Sequence, residues 1–217
     1  MAGVLETELE SVRVAGILRD DIVRGRRLPG SRLIERDIAT ELNVSRLPVR
    51  EAIKTLVSEG VVVARPRSWA VVRQFTPRDV RELGEVRQAI ETQIFEFAAQ
   101  RHDETGLARL QAVLDEEIDA ARAGDPERAR LAAGRFHEIA GHLADNAMLT
   151  ELISVFATRL RWLFGQHDDL VAMAEDHRRI LEALRARDVE EIRRLIPEHL
   201  AKGQDEAERR LGSEYAV

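Results

Sequence analysis

Between Gly25 and Gly60 the chain reads GRRLPGSRLIERDIATELNVSRLPVREAIKTLVSEG, two short helices around a turn with arginines on the second. Leu28-Pro29-Gly30 is a turn, because Pro fixes φ and Gly adopts backbone conformations that other residues resist; Arg32-Leu33-Ile34 is a short extended piece. A helix then starts near Glu35, with Ile38, Ala39 and Leu42 at helical spacing, and Asn43 ends it. Ser45 stands where a cap belongs for a second helix, whose core positions are Val49, Ile53 and Leu56 and whose open face carries Arg46, Arg50 and Lys54. An apolar face that fixes one helix steeply across another, with basic side chains at the N-terminal end of the second, is what a helix-turn-helix needs to enter a DNA groove. After Gly60, Val61-Val62-Val63-Ala64 and Trp69-Ala70-Val71-Val72 flank the basic turn Arg65-Pro66-Arg67-Ser68, which reads as a hairpin and makes the unit winged.

The spacing Ile22, Gly25, Leu28-Pro29-Gly30, Leu33, Ala39, Leu42, Val44-Ser45-Arg46, Pro48-Val49-Arg50-Glu51-Ala52, Leu56, Gly60 resembles the N-terminal domain of the GntR family of bacterial transcription regulators. The resemblance implies base or phosphate contacts at Arg36, Ser45, Arg46 and Arg50. The family usually has Gly where this chain has Trp69 and often Thr where it has Leu47. With Trp69 too large for a close backbone approach to the minor groove, the wing is expected to act on phosphates through Arg65 and Arg67 while Trp69 packs on the wing base.

Composition fits this division. The 217 residues, 44% hydrophobic and without cysteine, suffice for one large or two modest cores and exclude disulfides and thiolate metal sites. The longest aliphatic run, Val61 to Ala64, is far too short for a membrane, so the expected location is the cytoplasm. Net charge is −6, but residues 1–75 hold 13 Lys+Arg against 10 Asp+Glu, and residues 76–217 hold 20 against 29. The basic part is the part with the DNA motif, and the acidic remainder should stand away from phosphate.

The expected fold is mainly α: a winged helix-turn-helix over 1–75, then an all-α helical bundle over 76–217, to which the family resemblance assigns effector binding and dimerisation. Thr76-Pro77 opens the second part as N-cap and first helical residue. Six helices are expected, roughly 77–100, 104–123, 126–143, 147–165, 169–187 and 189–210. This layout, with the Val86-Arg87-Gln88-Ala89-Ile90-Glu91 segment, Phe136-His137 and two later histidines, resembles the FadR-type (FCD) branch, whose helical domain dimerises and binds a small effector.

Within the bundle, His177 lies in the stripe Leu170, Met173, His177, Ile180, Leu184, and His199 in Val189, Ile192, Ile196, His199, Gly203. Asp188 and Glu191 form a capping box at the turn between them. One histidine is eleven residues before Asp188 and the other eleven after it, so both sit about 16 Å from the turn, at one level. His137 is a third candidate, on the stripe with Ala133, Phe136, Ala140 and Leu143. A lone histidine there would be a core residue satisfied by backbone; three at this spacing are read as a metal or ligand site, while His102, His142 and His167 are read as structural. The FadR-type branch commonly adds an Asp four residues before the first His, and here that position is Ala133. Three neutral imidazoles suit Zn²⁺ or Ni²⁺ with open positions, but the site has lost its carboxylate charge and suits Mg²⁺ poorly.

Arg87 lies on the stripe Val80, Leu83, Arg87, Ile90, Ile94, Phe97, where a guanidinium must find an anion. That anion is either an internal partner, Glu82 or Glu91, or the carboxylate of an effector held bidentately. Arg159 and Arg161 beside Trp162 are further candidates to line the cavity, and Pro197 is expected to kink its helix. Together these features suggest a homodimeric, effector-responsive regulator, most often a repressor in this family, that binds a palindromic double-stranded DNA operator and a small carboxylate. The competing reading is a zinc-dependent hydrolytic enzyme built on the three histidines.

Overall fold

The computed structural model describes residues 2–65 and 69–214, which form two compact units. The first contains the residues up to Phe75 together with Val155–Trp162, and the second contains Thr76–Ser154 and the chain from Leu163 onward.

In the first unit, helix α1 (Ala2–Val23) is followed by strand β1 (Arg32–Leu33), helices α2 (Glu35–Glu41) and α3 (Arg46–Ser58), and strands β2 (Val62–Val63) and β3 (Ala70–Val72). The sheet order is β1-β3-β2, antiparallel throughout, with Leu33 opposite Ala70 and Val62 opposite Val72. Val14, Leu18 and Ile22 of α1 meet Ile38, Val49, Leu56 and Val72 in one core, with the half-buried Trp162 against it. Asn43 ends α2 in the left-handed region, at φ 52°, where a short polar side chain is tolerated best after glycine. Gly60 at φ 75° turns the chain from α3 into β2. Ser45 occupies the N-cap position of α3, but its hydroxyl makes no capping bond, contrary to the sequence expectation.

The second unit is helical: α4 (Pro77–Arg101), α5 (Glu104–Arg122), α6 (Pro126–Leu143), α7 (Ala147–Ser154), the end of α8 (Ala157–Phe164), α9 (Leu170–Arg185) and α10 (Val189–Glu214). Short polar residues set most starts. Thr76 and Asp79 form a reciprocal capping box, and Asp103, Asp125, Asp169 and Asp188 each accept from the backbone N–H three residues on. The single helix expected over 147–165 is broken into α7 and α8, where Ile153-Ser154-Val155-Phe156 strings together four weak helix formers. Residues 155–162, expected in the bundle, group with the first unit instead: Thr158 donates to Glu59, Arg161 reaches Asp20 at 3.0 Å, and the Trp162 ring meets Phe75 edge-on. Arg159 and Arg161 therefore do not line the bundle interior. On α4 the buried ring is Phe95, and the Phe97 of the expected stripe is only partly buried beneath Arg101. Helix α10 continues through Pro197.

Candidate functional site

The exposed end of α3 carries the expected basic group. Arg46 and Arg50 extend into solvent, and both turn toward Glu35 at the start of α2. Arg50 grips it bidentately, with Nε to Oε1 at 3.0 Å and Nη2 to Oε2 at 3.1 Å; Arg46 approaches at 3.4 Å. The Arg50 hydrogen bond, followed by the charges of both arginines, holds the Glu35 carboxyl below its ordinary range. Arg36 is exposed and touches Asp37. Arg65 is exposed, Arg67 lies outside the described residues, and Trp69 is half exposed under the Arg32 guanidinium, 4.2 Å from its ring centre. Glu35 is the residue that sequence reasoning missed on this face. It reads as an ordinary first-turn acid, and only the fold brings it opposite α3.

In the bundle, the three singled-out histidines meet. His137 comes from α6, His177 from α9 and His199 from α10; His137 Nε2 lies 3.2 Å from His177 Nε2 and 3.3 Å from His199 Nε2. Their candidate ligand atoms all fall within 4.8 Å of one another. Phe136 stacks on His177 at 4.4 Å, and Phe95 closes on His137 edge-on, so carbon walls the cluster.

A carboxylate stands behind each ring. Glu117 of α5 contacts His177 Nδ1 with both oxygens, at 2.9 and 2.8 Å. Glu91 Oε2 lies 2.7 Å from His137 Nδ1 without the alignment of a hydrogen bond, and Asp176 Oδ2 lies 3.8 Å from His199 Nδ1. Only part of the charge missing at Ala133 is supplied from outside the ring of nitrogens, because Glu91 is also paired with Arg87 and Asp176 with Lys202. Glu117 was legible in principle, since it falls on the stripe Leu107, Leu110, Leu114, Glu117, Ala121, where a charge needs a reason. The Glu117 contact favours the His177 tautomer with the proton on Nδ1, which leaves its Nε2 lone pair facing His137 Nε2. At 3.2 and 3.3 Å the Nε2 atoms suit either an N–H···N hydrogen bond between rings or, with all three unprotonated, a cation among them. Two nitrogens each 2.0–2.1 Å from a tetrahedral zinc are themselves about 3.3 Å apart, close to the separations seen, so the donor set fits Zn²⁺ or Ni²⁺.

Burial is the first cause holding the imidazoles of His137, His199 and His167 below their ordinary 6.5, His167 at about 3. The unfolded chain would take up protons near pH 6.5 that the folded chain refuses, so stability is lost as pH falls through and below that value. In chelator, the melting temperature is expected to drop steadily from pH 7 to pH 5, above the range where Asp176 (about 2) titrates. A melting temperature that stays level or rises over that interval would mean the rings are not held neutral.

Arg87 is 8% exposed and Glu91 5%. Arg87 Nε donates to Glu91 Oε1 at 2.7 Å, while Glu82, the other candidate partner, takes Arg78. Glu91 therefore touches both Arg87 and His137. The Nη atoms of Arg87 make no hydrogen bond among the described residues, and Phe164 lies 5.1 Å beneath the guanidinium.

Residues 82–202 match the FCD domain family, and residues 10–72 match the gntR family of bacterial regulatory proteins. This chain belongs to the GntR family. It carries that family's DNA-binding domain followed by an FCD domain, and among GntR regulators it resembles the transcriptional repressor RspR of Escherichia coli K12, with 29% identity over 198 residues covering 89% of this chain and 87% of RspR. The gluconate operon repressor of Bacillus subtilis is 29% identical over 187 residues, covering 82% and 76%. The solved structure of E. coli McbR/YncC superposes with a TM-score of 0.77 at 25% identity, covering 95% of this chain and 98% of that one. No helix among the described residues is long and apolar enough to cross a membrane.

Proposed function

We propose that this GntR-family chain is an effector-responsive repressor that binds a palindromic operator as a homodimer through its winged units. The effector is a small organic acid held by Arg87, next to a divalent metal held by His137, His177 and His199. A bound Zn²⁺ or Ni²⁺ supplies positive charge and an open Lewis-acid position. The observation that carries the effector reading is Arg87, a guanidinium more than nine-tenths buried that uses only Nε on the protein. Its Nη donors have no acceptor among the described residues, and a carboxylate is the anion whose two oxygens match the guanidinium fork. The relatives support the DNA-binding half, being named as repressors, two of them of the gluconate and galactonate operons.

A hydrolytic zinc enzyme would need a general base at the open metal position. Glu91, Glu117 and Asp176 stand instead against the Nδ1 edges, away from the converging Nε2 atoms. This favours the regulator.

The test is a gel shift on an operator selected from random DNA, titrated with sodium salts of small mono- and dicarboxylic acids. At least one acid is expected to shift the wild-type midpoint and none to shift Arg87→Ala, whose acid-free binding stays at the wild-type level. Arg87→Lys, which keeps a charge beside Glu91 but lacks the fork, should lose most of the response. An Arg87→Ala chain that responds like the wild type would remove Arg87 from the effector site.

A further inference from the structure

His167, read from the sequence as structural, is held in a way that a filler side chain would not need. It lies between α8 and α9 and is 7% exposed. Its Nδ1 is 2.7 Å from Glu206 Oε2 of α10, and its backbone carbonyl accepts from Arg130 Nη2 at 2.9 Å, so both ring and backbone are fixed. Its Nε2 makes no hydrogen bond among the described residues. The ring rests on Gly203, where a Cβ would stand 3.1 Å from His167 Cε1, 3.8 Å from its Nε2 and 3.7 Å from Arg87 Nη1. Glycine thus lets polar atoms of two largely buried residues, both with unused hydrogen-bonding capacity among the described residues, approach one point on α10 within 4 Å.

The two groups are chemically opposite. Arg87 Nη offers only donors. A neutral imidazole that gives its Nδ1 proton to a carboxylate keeps a lone pair on Nε2, which only accepts. Burial keeps the His167 ring neutral, with Arg87 adding to the effect. A simple carboxylate satisfies the first group and not the second, and proton-free inorganic anions such as sulfate do the same. Both are satisfied by a molecule carrying a carboxylate and, beside it, a hydroxyl that can donate.

We infer that Arg87, His167 and the bare backbone of Gly203 form a subsite for a hydroxycarboxylic acid, its carboxylate on Arg87 Nη and its hydroxyl donating to His167 Nε2. This rests on the reading of Arg87 as an effector-binding residue. A site built to take a hydroxyl discriminates against the analogue that lacks it, because the buried acceptor is then left unpaired.

Calorimetric titration of the full-length protein with matched pairs tests this: lactate against propionate, malate against succinate, and gluconate against hexanoate. For at least one pair, the hydroxy acid is expected to bind roughly tenfold or more tighter, about 1.4 kcal/mol. His167→Phe keeps the ring's shape without the acceptor and should bring the ratio to within about twofold, whereas His167→Gln, whose amide oxygen reaches the Nε2 position, should keep part of it. Glu206→Ala frees the ring's tautomer from a half-buried position and should also lower the ratio, so the test survives if His167→Phe fails to fold, as judged by its melting temperature. Equal wild-type affinities within every bound pair, or a folded His167→Phe or Glu206→Ala chain with the wild-type ratio, would overturn the hydroxyl subsite. If both members bind equally and Arg87→Ala loses both, only the subsite falls. If the wild type binds no member at millimolar concentration, the carboxylate reading of Arg87 falls with it.

Discussion

Replacing Arg50 by alanine is expected to weaken operator binding on the order of ten- to a hundredfold and to flatten discrimination between sites, while leaving the protein's thermal stability near the wild-type value. Arg50 projects from the second turn of α3 on an exposed face, and its guanidinium is already presented as a fork by the bidentate contact with Glu35. An arginine fork matches guanine O6 and N7, and an exposed ion pair contributes little to folding, so exchanging Glu35 for a base costs little and removing Arg50 spares the fold. Arg46, at the first helical position of the same helix, is expected to behave similarly, with a larger share of its effect on phosphate. A competition gel shift against the selected operator and scrambled DNA measures both quantities. If Arg50→Ala and Arg46→Ala both keep the wild-type ratio between the two DNAs, this face of α3 does not read sequence. Glu35→Gln adds a sharper control: it removes the carboxylate that aims Arg50, so it should alter base preference more than salt-dependent affinity for scrambled DNA.

Replacing His177 by alanine is expected to abolish metal uptake. The wild type, purified without chelator, should hold about one divalent ion per chain and melt higher than after chelation; a metal present at a hundred times its dissociation constant stabilises by about 2.7 kcal/mol. His177 is wholly buried and carries the best-defined carboxylate partner, so its loss removes one of three nitrogens and leaves Glu117 buried without a counterpart. His177→Ala should therefore also lower the metal-free melting temperature, and uptake itself must be read by mass spectrometry on folded protein. Glu117→Gln separates the effects, because it keeps a hydrogen-bond partner for Nδ1 but removes its charge, and should reduce metal affinity roughly ten- to a hundredfold. A wild-type chain that holds no ion, and takes up neither Zn²⁺ nor Ni²⁺, would leave the three histidines as a metal-free pocket.

What was legible in the sequence and what was not follow from the range of the interactions. The winged unit and the helix starts are written locally, in the turn at Pro29-Gly30, in Asn43, and in the caps at Thr76 and Asp188. The convergence of His137, His177 and His199 was legible because each lies on an inward stripe and two are equidistant from one turn. Asp176 is adjacent to His177 and so points about 100° around α9 from the stripe; that it would face His199 depends on how α10 packs, which no local pattern encodes. Glu35 and Arg50 likewise meet only through the angle between α2 and α3. His167 was passed over because an isolated histidine in a loop carries no periodicity at all.

The return of residues 155–162 to the first unit bears on how such regulators are assembled by recombination. A crossover just after Phe75, between the two family matches, is the simplest place to give an FCD domain a new DNA-reading head. In this chain that crossover parts Glu59 from Thr158, Asp20 from Arg161 and Phe75 from Trp162, all in one step. The compact unit around the head is thus not the contiguous gntR match alone: it also takes in eight residues that lie within the FCD match, and a transplant keeps these contacts only when they are inherited with it.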